Sequence, residues 1–173
     1  SSSPGEDGSE RSFAGVHESV VGVTGDEELL DAVRSVWASL FSDRALLYRA
    51  DLGLDGRTST MAVVVQEIIS GDRSGVAFSI NPADDTQGVV ESVYGLNQGL
   101  VDGVIEPDRW ILDRARNTIV SHTPPERKHW IIPSQNGVHL AELPEEKSAH
   151  PPLNPQEVKF VFETARKAEE FFK

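Results

Sequence analysis

Three stretches of the chain combine residue types that can do chemistry. Ser12-Phe13-Ala14-Gly15-Val16-His17-Glu18-Ser19 sets small residues around a glycine, where backbone N–H groups approach an anion closely, and Ser12 and Ser19 add hydroxyl donors. An ordinary turn leading into a strand is the alternative. The residue types favour it, because the stretch is neither a lysine-bearing phosphate loop nor G-x-G-x-x-G. Gln66 and Glu67 close the apolar run Met61-Ala62-Val63-Val64-Val65 and precede Ile68-Ile69. Polar groups at a buried strand end need partners, since leaving one unpaired costs about 1–3 kcal/mol. A backbone N–H and C=O there could read the edge of a purine, with Ile68 and Ile69 covering the ring. A strand end emerging into water is the other reading, and spacing alone favours it. Gly95-Leu96-Asn97-Gln98, with Glu106-Pro107-Asp108 nearby, can present helix N–H groups to a phosphate or simply start a packed helix, and the second is the plainer reading.

The remaining candidates are weaker. His122, His129 and His139 lack regular ligand spacing and read as surface histidines, not a metal site. Asp84-Asp85 reads as a solvated acidic turn, not an acid/base pair. Gly22-Val23-Thr24-Gly25 has the G-x-x-G form of an RNA-binding loop, but the Asp26-Glu27-Glu28 that follows would repel a phosphate backbone. No nucleophile–base–acid triad can be assembled.

These residues must be carried by a mixture of strands and helices. The β-branched cluster within 16–23 predicts a short strand. Thr24 is a candidate cap for a helix whose first turn holds Asp26, Glu27 and Glu28. Leu30, Val33, Trp37, Leu40 and Phe41 follow at the spacing of one buried face. Residues 46–52 are ambiguous between strand and helix. The run 61–69 predicts a strand covered on both faces. Strands are expected at 76–80 and 89–93, and a hairpin pairs 110–112 with 118–120. Residues 121–152, rich in proline, histidine and charge, read as an insertion or loop region with apolar islands at 130–132 and 138–143. Asn154-Pro155 with Glu157 has capping-box spacing, and Val158, Val161, Phe162, Ala165 and Phe172 fall broadly on one face of the helix it opens. Strands and helices without strict alternation point to an α+β fold with a mixed or antiparallel sheet.

Composition bounds the function. The 173 residues suffice for one cored domain, burying roughly 68–70% of the unfolded surface. The formal net charge of −12 argues against nucleic acid, whose affinity rests on Lys and Arg at phosphates. No apolar run approaches the roughly 20 residues of a membrane span, and no signal peptide is visible. The absence of cysteine excludes disulfides and thiol chemistry and fits the cytosol.

Taken in order, the motifs are more specific than any one alone. Glu6-Asp7, Ser12-Phe13-Ala14-Gly15, Trp37-Ala38-Ser39-Leu40-Phe41-Ser42-Asp43-Arg44-Ala45 and Tyr48-Arg49 are followed by 61–66, Gly75-Val76-Ala77-Phe78-Ser79, Asn81-Pro82, Tyr94-Gly95-Leu96 and Pro107-Asp108-Arg109. This series resembles the nucleotide-binding domain of phosphoenolpyruvate synthases over most of residues 1–120 and, more loosely, along the last helix. The family's domain is of the ATP-grasp type, shared with pyruvate phosphate dikinases, glucan water dikinases and rifampicin phosphotransferases. In that family ATP gives its β-phosphoryl group to a histidine on a separate swivelling domain, releasing AMP and phosphate, and the phosphohistidine then phosphorylates pyruvate or another acceptor.

The resemblance implies ATP and Mg²⁺ as cofactors. It also implies two partners in the parent protein, a phosphohistidine domain and a phosphoenolpyruvate/pyruvate domain. Gly15 matches the glycine of the family's phosphate loop, with Ser12 and His17 as further loop residues. Ser19 replaces a threonine that contacts the nucleotide. Gln66 matches the hinge glutamine at the adenine, with Glu67, Ile68 and Ile69 as hinge backbone. Departures are Val16-His17 where the family shows Gln after the glycine, and Asn97-Gln98 in place of Gly-Glu. The family's nucleotide-binding Arg would fall before Ser1, its Lys-bearing front half further upstream, and its Mg²⁺-binding strand beyond Lys173. The chain is therefore expected to be part of one ATP-grasp domain, with no catalytic residue of its own and no phosphoryl transfer in isolation. A non-catalytic nucleotide-binding or interaction module is the rival reading.

Overall fold

The computed structural model describes residues 16–53, 60–134 and 137–172. Gly15 and Ser12 lie outside them. The chain divides into two compact units, the first Ser1–Ile69 with Ser134–Val138, the second Ser70–Pro133 with His139–Lys173.

The described part of the first unit is helical. Helix α1 (Asp26–Ala38) leads through a single 3₁₀ turn (Ser39–Phe41) into α2 (Asp43–Asp51), which resolves the ambiguity at 46–52 as helix. The acidic first turn of α1 faces the positive end of the helix dipole, as expected. Its cap position is taken by Gly25 at φ 86°, not by Thr24. Thr24 instead donates its backbone N–H and hydroxyl to the Glu28 carboxylate, at 3.1 and 3.4 Å. Ser42 caps α2 by accepting from the Ala45 N–H. The buried stripe differs from the one the spacing predicts. Val36 and Leu40 are buried, while Leu30, Trp37 and Phe41 stand half-exposed or more. The reason is the tight turn into α2, which ties Arg49 to the Leu40 carbonyl at 2.7 Å and buries Ala45 and Arg49 with Val36 and Leu40.

Two expected strands are absent. Residues 16–23 form a turn and loop. Residues 61–69 form an irregular segment with one isolated bridge position at Ala62, and Val64, Val65 and Ile69 are 62, 61 and 87% exposed. β-branched side chains favour a pleated surface only where a neighbouring strand supplies one, and no described strand pairs with this run.

The second unit is built on a four-stranded antiparallel sheet in the order β1 (Arg73–Phe78), β2 (Gln87–Tyr94), β3 (Asp108–Asp113), β4 (Thr118–Thr123). Burial alternates along β3, with Asp108, Trp110 and Leu112 inward and Arg109 outward, the period of two expected of a strand. Helix α3 (Gln98–Val101) is a single turn between β2 and β3. The segment 121–152 holds the end of β4, a two-stranded pair β5 (His129–Ser134) and β6 (Gly137–Glu142), and the short helix α4 (Glu145–Ser148). The apolar islands at 130–132 and 138–143 fall on and just past that pair, where Ile131 and Leu143 are buried and Leu140 is exposed.

Helix α5 (Pro155–Phe172) closes one face of the sheet. Asn154 Oδ1 accepts from the Gln156 and Glu157 N–H groups, and Glu157 accepts from the Asn154 N–H, a complete capping box. Val158 and Phe162 are fully buried against Val90, Trp110 and Leu112, whereas Phe172 is 84% exposed and does not join that face. Burial of Phe162 alone is worth about 1.5–3 kcal/mol. Arg73 fixes the start of α5 by donating to Pro152 O and Glu157 at 2.8 and 2.9 Å, and Arg114 fixes its far end through Glu169 at 2.9 Å.

Candidate functional site

The sequence-predicted residues in the described part fall in two places in the first unit. His17 is half-buried and Ser19 exposed, in the loop that precedes α1. The neighbouring Glu18 N–H donates to Ser39 Oγ at 3.1 Å, and this pins the loop to the start of the 3₁₀ turn. Gln66, Glu67, Ile68 and Ile69 lie together on the exposed irregular segment. No hydrogen bond between these two groups is found among the described residues. The backbone of 66–69 has no hydrogen-bond partner among the described residues either. Trp37 Nε1 donates to Met61 O at 3.2 Å and steadies the start of that segment.

Asn97 takes the cap position of α3, with no side-chain capping bond. A single four-residue turn gives little dipole to offer a phosphate.

Two side-chain clusters in the second unit escaped the sequence reading. Asp108 is 1% exposed and accepts from Nε and Nη2 of Arg127, with the Nε contact at 2.6 Å. Its Oδ1 also meets His122 Nε2 at 2.7 Å, and the His122 ring stacks on Trp110 with centroids 4.6 Å apart. His122 stands exposed on β4, as its spacing suggests, with its ring engaged by Asp108 and Trp110. Hydrogen bonding to Asp108 raises the Arg127 pKa further, so its charge is permanent. The second cluster is Lys147, whose Nζ sits 4.9 Å from the Trp130 ring centroid, 5.3 Å from that of Tyr94, and 2.8 Å from Asp72 Oδ1.

Two open clefts border these clusters, one of about 370 Å³ beside Tyr94, Val104, Arg127 and Leu143, the other of about 590 Å³ beside Arg127, His129, Glu142 and Ser148. Neither cleft is lined by His17, Ser19 or Gln66–Ile69, whereas Glu106, Asp108 and His129 line the smaller one. Arg127 also donates through Nη1 to Ser148 O at 3.4 Å, and its charge is met by the buried Asp108 carboxylate. Among the described residues no three acidic, histidine or cysteine side chains are grouped to hold a metal ion, and no helix is long and apolar enough to cross a membrane.

Comparison with known proteins decides the family. The profile of the pyruvate phosphate dikinase AMP/ATP-binding domain matches residues 1–173. The chain belongs to that family. Among its relatives, a probable phosphoenolpyruvate synthase of Archaeoglobus fulgidus is 33% identical over 91% of the chain and 21% of its own length. A phosphoenolpyruvate synthase of Aeropyrum pernix is 43% identical over 66% of the chain and 14% of its own length. The prodigiosin synthesizing transferase PigC of Serratia marcescens is 34% identical over 93% of the chain and 18% of its own length. The chain therefore spans between about a seventh and a fifth of the length of these relatives. Within the pyruvate phosphate dikinase AMP/ATP-binding family, the mixed α+β architecture and antiparallel sheet are those the motifs implied.

Proposed function

We propose that this chain is the ATP-binding portion of a phosphoenolpyruvate synthase-like dikinase, with residues 1–173 forming part of one ATP-grasp-type domain. The observation that carries the reading is the match of the AMP/ATP-binding profile along the whole chain. Gln66 reads the adenine, the backbone of Glu67, Ile68 and Ile69 flanks it, and Gly15 and Ser19, with Ser12 and His17 beside them, cradle phosphate. That no described residue pairs with the backbone of 66–69 supports the first half of that assignment, because base-edge recognition needs donors and acceptors not spent on a ladder. Mg²⁺ would enter with the nucleotide's phosphates, as is usual for that ion. The described residues offer it no cage of their own.

In the complete reaction the β-phosphoryl group of ATP passes to a histidine on a separate domain and then to pyruvate, with AMP and phosphate released, in the cytoplasm. An acceptor other than pyruvate is the second reading. It is favoured by the close relative whose name is that of a transferase of prodigiosin synthesis.

Isothermal titration of ATP–Mg²⁺ into the full-length protein and its Gln66→Ala variant tests the reading. The unmutated protein binds, and the variant loses about tenfold in affinity, the worth of one hydrogen bond to a base edge. Equal affinities, or no binding by either, refute the assignment.

A further inference from the structure

We infer that Arg49 is a positioning residue for the phosphate-binding loop at Ser19, and that its buried guanidinium supplies the positive charge behind that loop. The inference deepens the nucleotide reading proposed above and rests on it. Every contact it uses lies within the first unit.

Arg49 is 3% exposed on the inner side of α2, yet no carboxylate pairs with it among the described residues. Its Nη2 donates to Leu40 O at 2.7 Å, while its Nη1 is closed to solvent and has no hydrogen-bond partner. Asp108, the other charged side chain buried to this degree among the described residues, has Arg127 against it. A guanidinium taken out of water without a counter-charge is costly, and an apolar side chain would avoid that cost. Stability therefore does not account for Arg49. A missing anion does.

The contacts lead from Arg49 to the loop before α1. Leu40, whose carbonyl Arg49 holds, follows Ser39 in the 3₁₀ turn. Ser39 is 5% exposed, and its Oγ donates to Val36 O at 2.7 Å and accepts from the Glu18 N–H at 3.1 Å. Glu18 stands between His17 and Ser19, the two described residues assigned to phosphate. Ser42 holds the same turn from α2, since its Oγ donates to Ser39 O at 3.0 Å and accepts from the Ala45 N–H.

The loop itself carries no lasting positive charge. Val16-His17-Glu18-Ser19 contains no Lys or Arg and one carboxylate, in a chain of net charge −12. A polyphosphate drawn there needs a cation from a neighbouring element, and Arg49 is the buried one to which the loop is tied. Shielded from water, its charge acts on an anion through its field more strongly than a solvated one would. The ligand class this serves is the phosphate end of the nucleotide, not the base.

The test titrates ATP–Mg²⁺ and, separately, adenosine into the full-length protein and its Arg49→Met, Arg49→Lys and Ser39→Ala variants. Arg49→Met is expected to weaken ATP about tenfold and leave adenosine unchanged, with Arg49→Lys restoring most of the loss. Ser39→Ala, which keeps the charge and removes the loop's anchor, is expected to weaken ATP about threefold, again without effect on adenosine. It keeps the test decisive where Arg49→Met does not fold. Equal losses for ATP and adenosine would make Arg49 and Ser39 merely structural and overturn the inference. ATP affinity unchanged in the variants would overturn it too, while leaving the nucleotide reading standing. An unmutated protein that binds neither ligand removes that reading and this role together.

Discussion

Asp108 and Arg127, nineteen residues apart in sequence, form a two-point ion pair in which the carboxylate is almost wholly buried. The pair joins the start of β3 to the connection between β4 and β5, and His122 completes the carboxylate's hydrogen bonding. Trp110 lies beneath His122 in register, since the two residues are opposite each other on β3 and β4. The cluster is an anchor for the residues beyond β4.

Removing one partner of that pair strands the other. Asp108→Asn is expected to destabilise the chain by about 3–5 kcal/mol, measured as the shift in urea midpoint, because Arg127 is left charged and mostly buried. A loss under 1 kcal/mol would show that water reaches the guanidinium freely.

Helix α5 should weaken in acid. Its Glu157 carboxyl is held below the ordinary value of 4.5, chiefly by the hydrogen bond from the Asn154 N–H and further by Arg73. A depressed carboxylate pKa contributes stability above the unfolded value, and that contribution is lost as pH falls through the lower folded value. Thermal midpoints followed from pH 6 down to pH 3 should therefore drop less steeply in Glu157→Gln than in the unmutated chain. Parallel curves would contradict the box as the source.

The capping box and the β3–β4 hairpin were legible because their signals are local. Asn154, Pro155 and Glu157 sit within one turn, and Asn117 at φ 50° closes a four-residue connection. What was not legible depends on partners far along the chain. Asp108 meets residues 14 and 19 positions away, and Lys147 meets one 75 positions away. The run 61–69 has the composition of a covered strand, yet a strand exists only by pairing, and composition does not say with what. The stripe on α1 turned because the tight turn into α2 buries Val36, not Trp37. Of the candidate site, sequence order and family likeness singled out the residues proposed for it, while nothing local distinguished Gln66 from an ordinary strand end.

Packing under α5 leaves no room at Gly88. A Cβ there would lie 1.9 Å from Cε2 of the fully buried Phe162. Gly88→Ala is expected to cost about 1–3 kcal/mol, seen as a lower thermal midpoint. Combining it with Phe162→Leu should recover part of the loss, and additive losses would place the clash elsewhere.

The most direct measurement of the central claim is mapping of ATP–Mg²⁺ onto the chain by backbone amide chemical shifts in a ¹⁵N-labelled sample. The account predicts the largest shifts at Gln66, Glu67, Ile68 and Ile69, with a second group around Gly15 and Ser19. Shifts confined to the clefts beside Arg127 and His129, or none at saturating nucleotide, would contradict it.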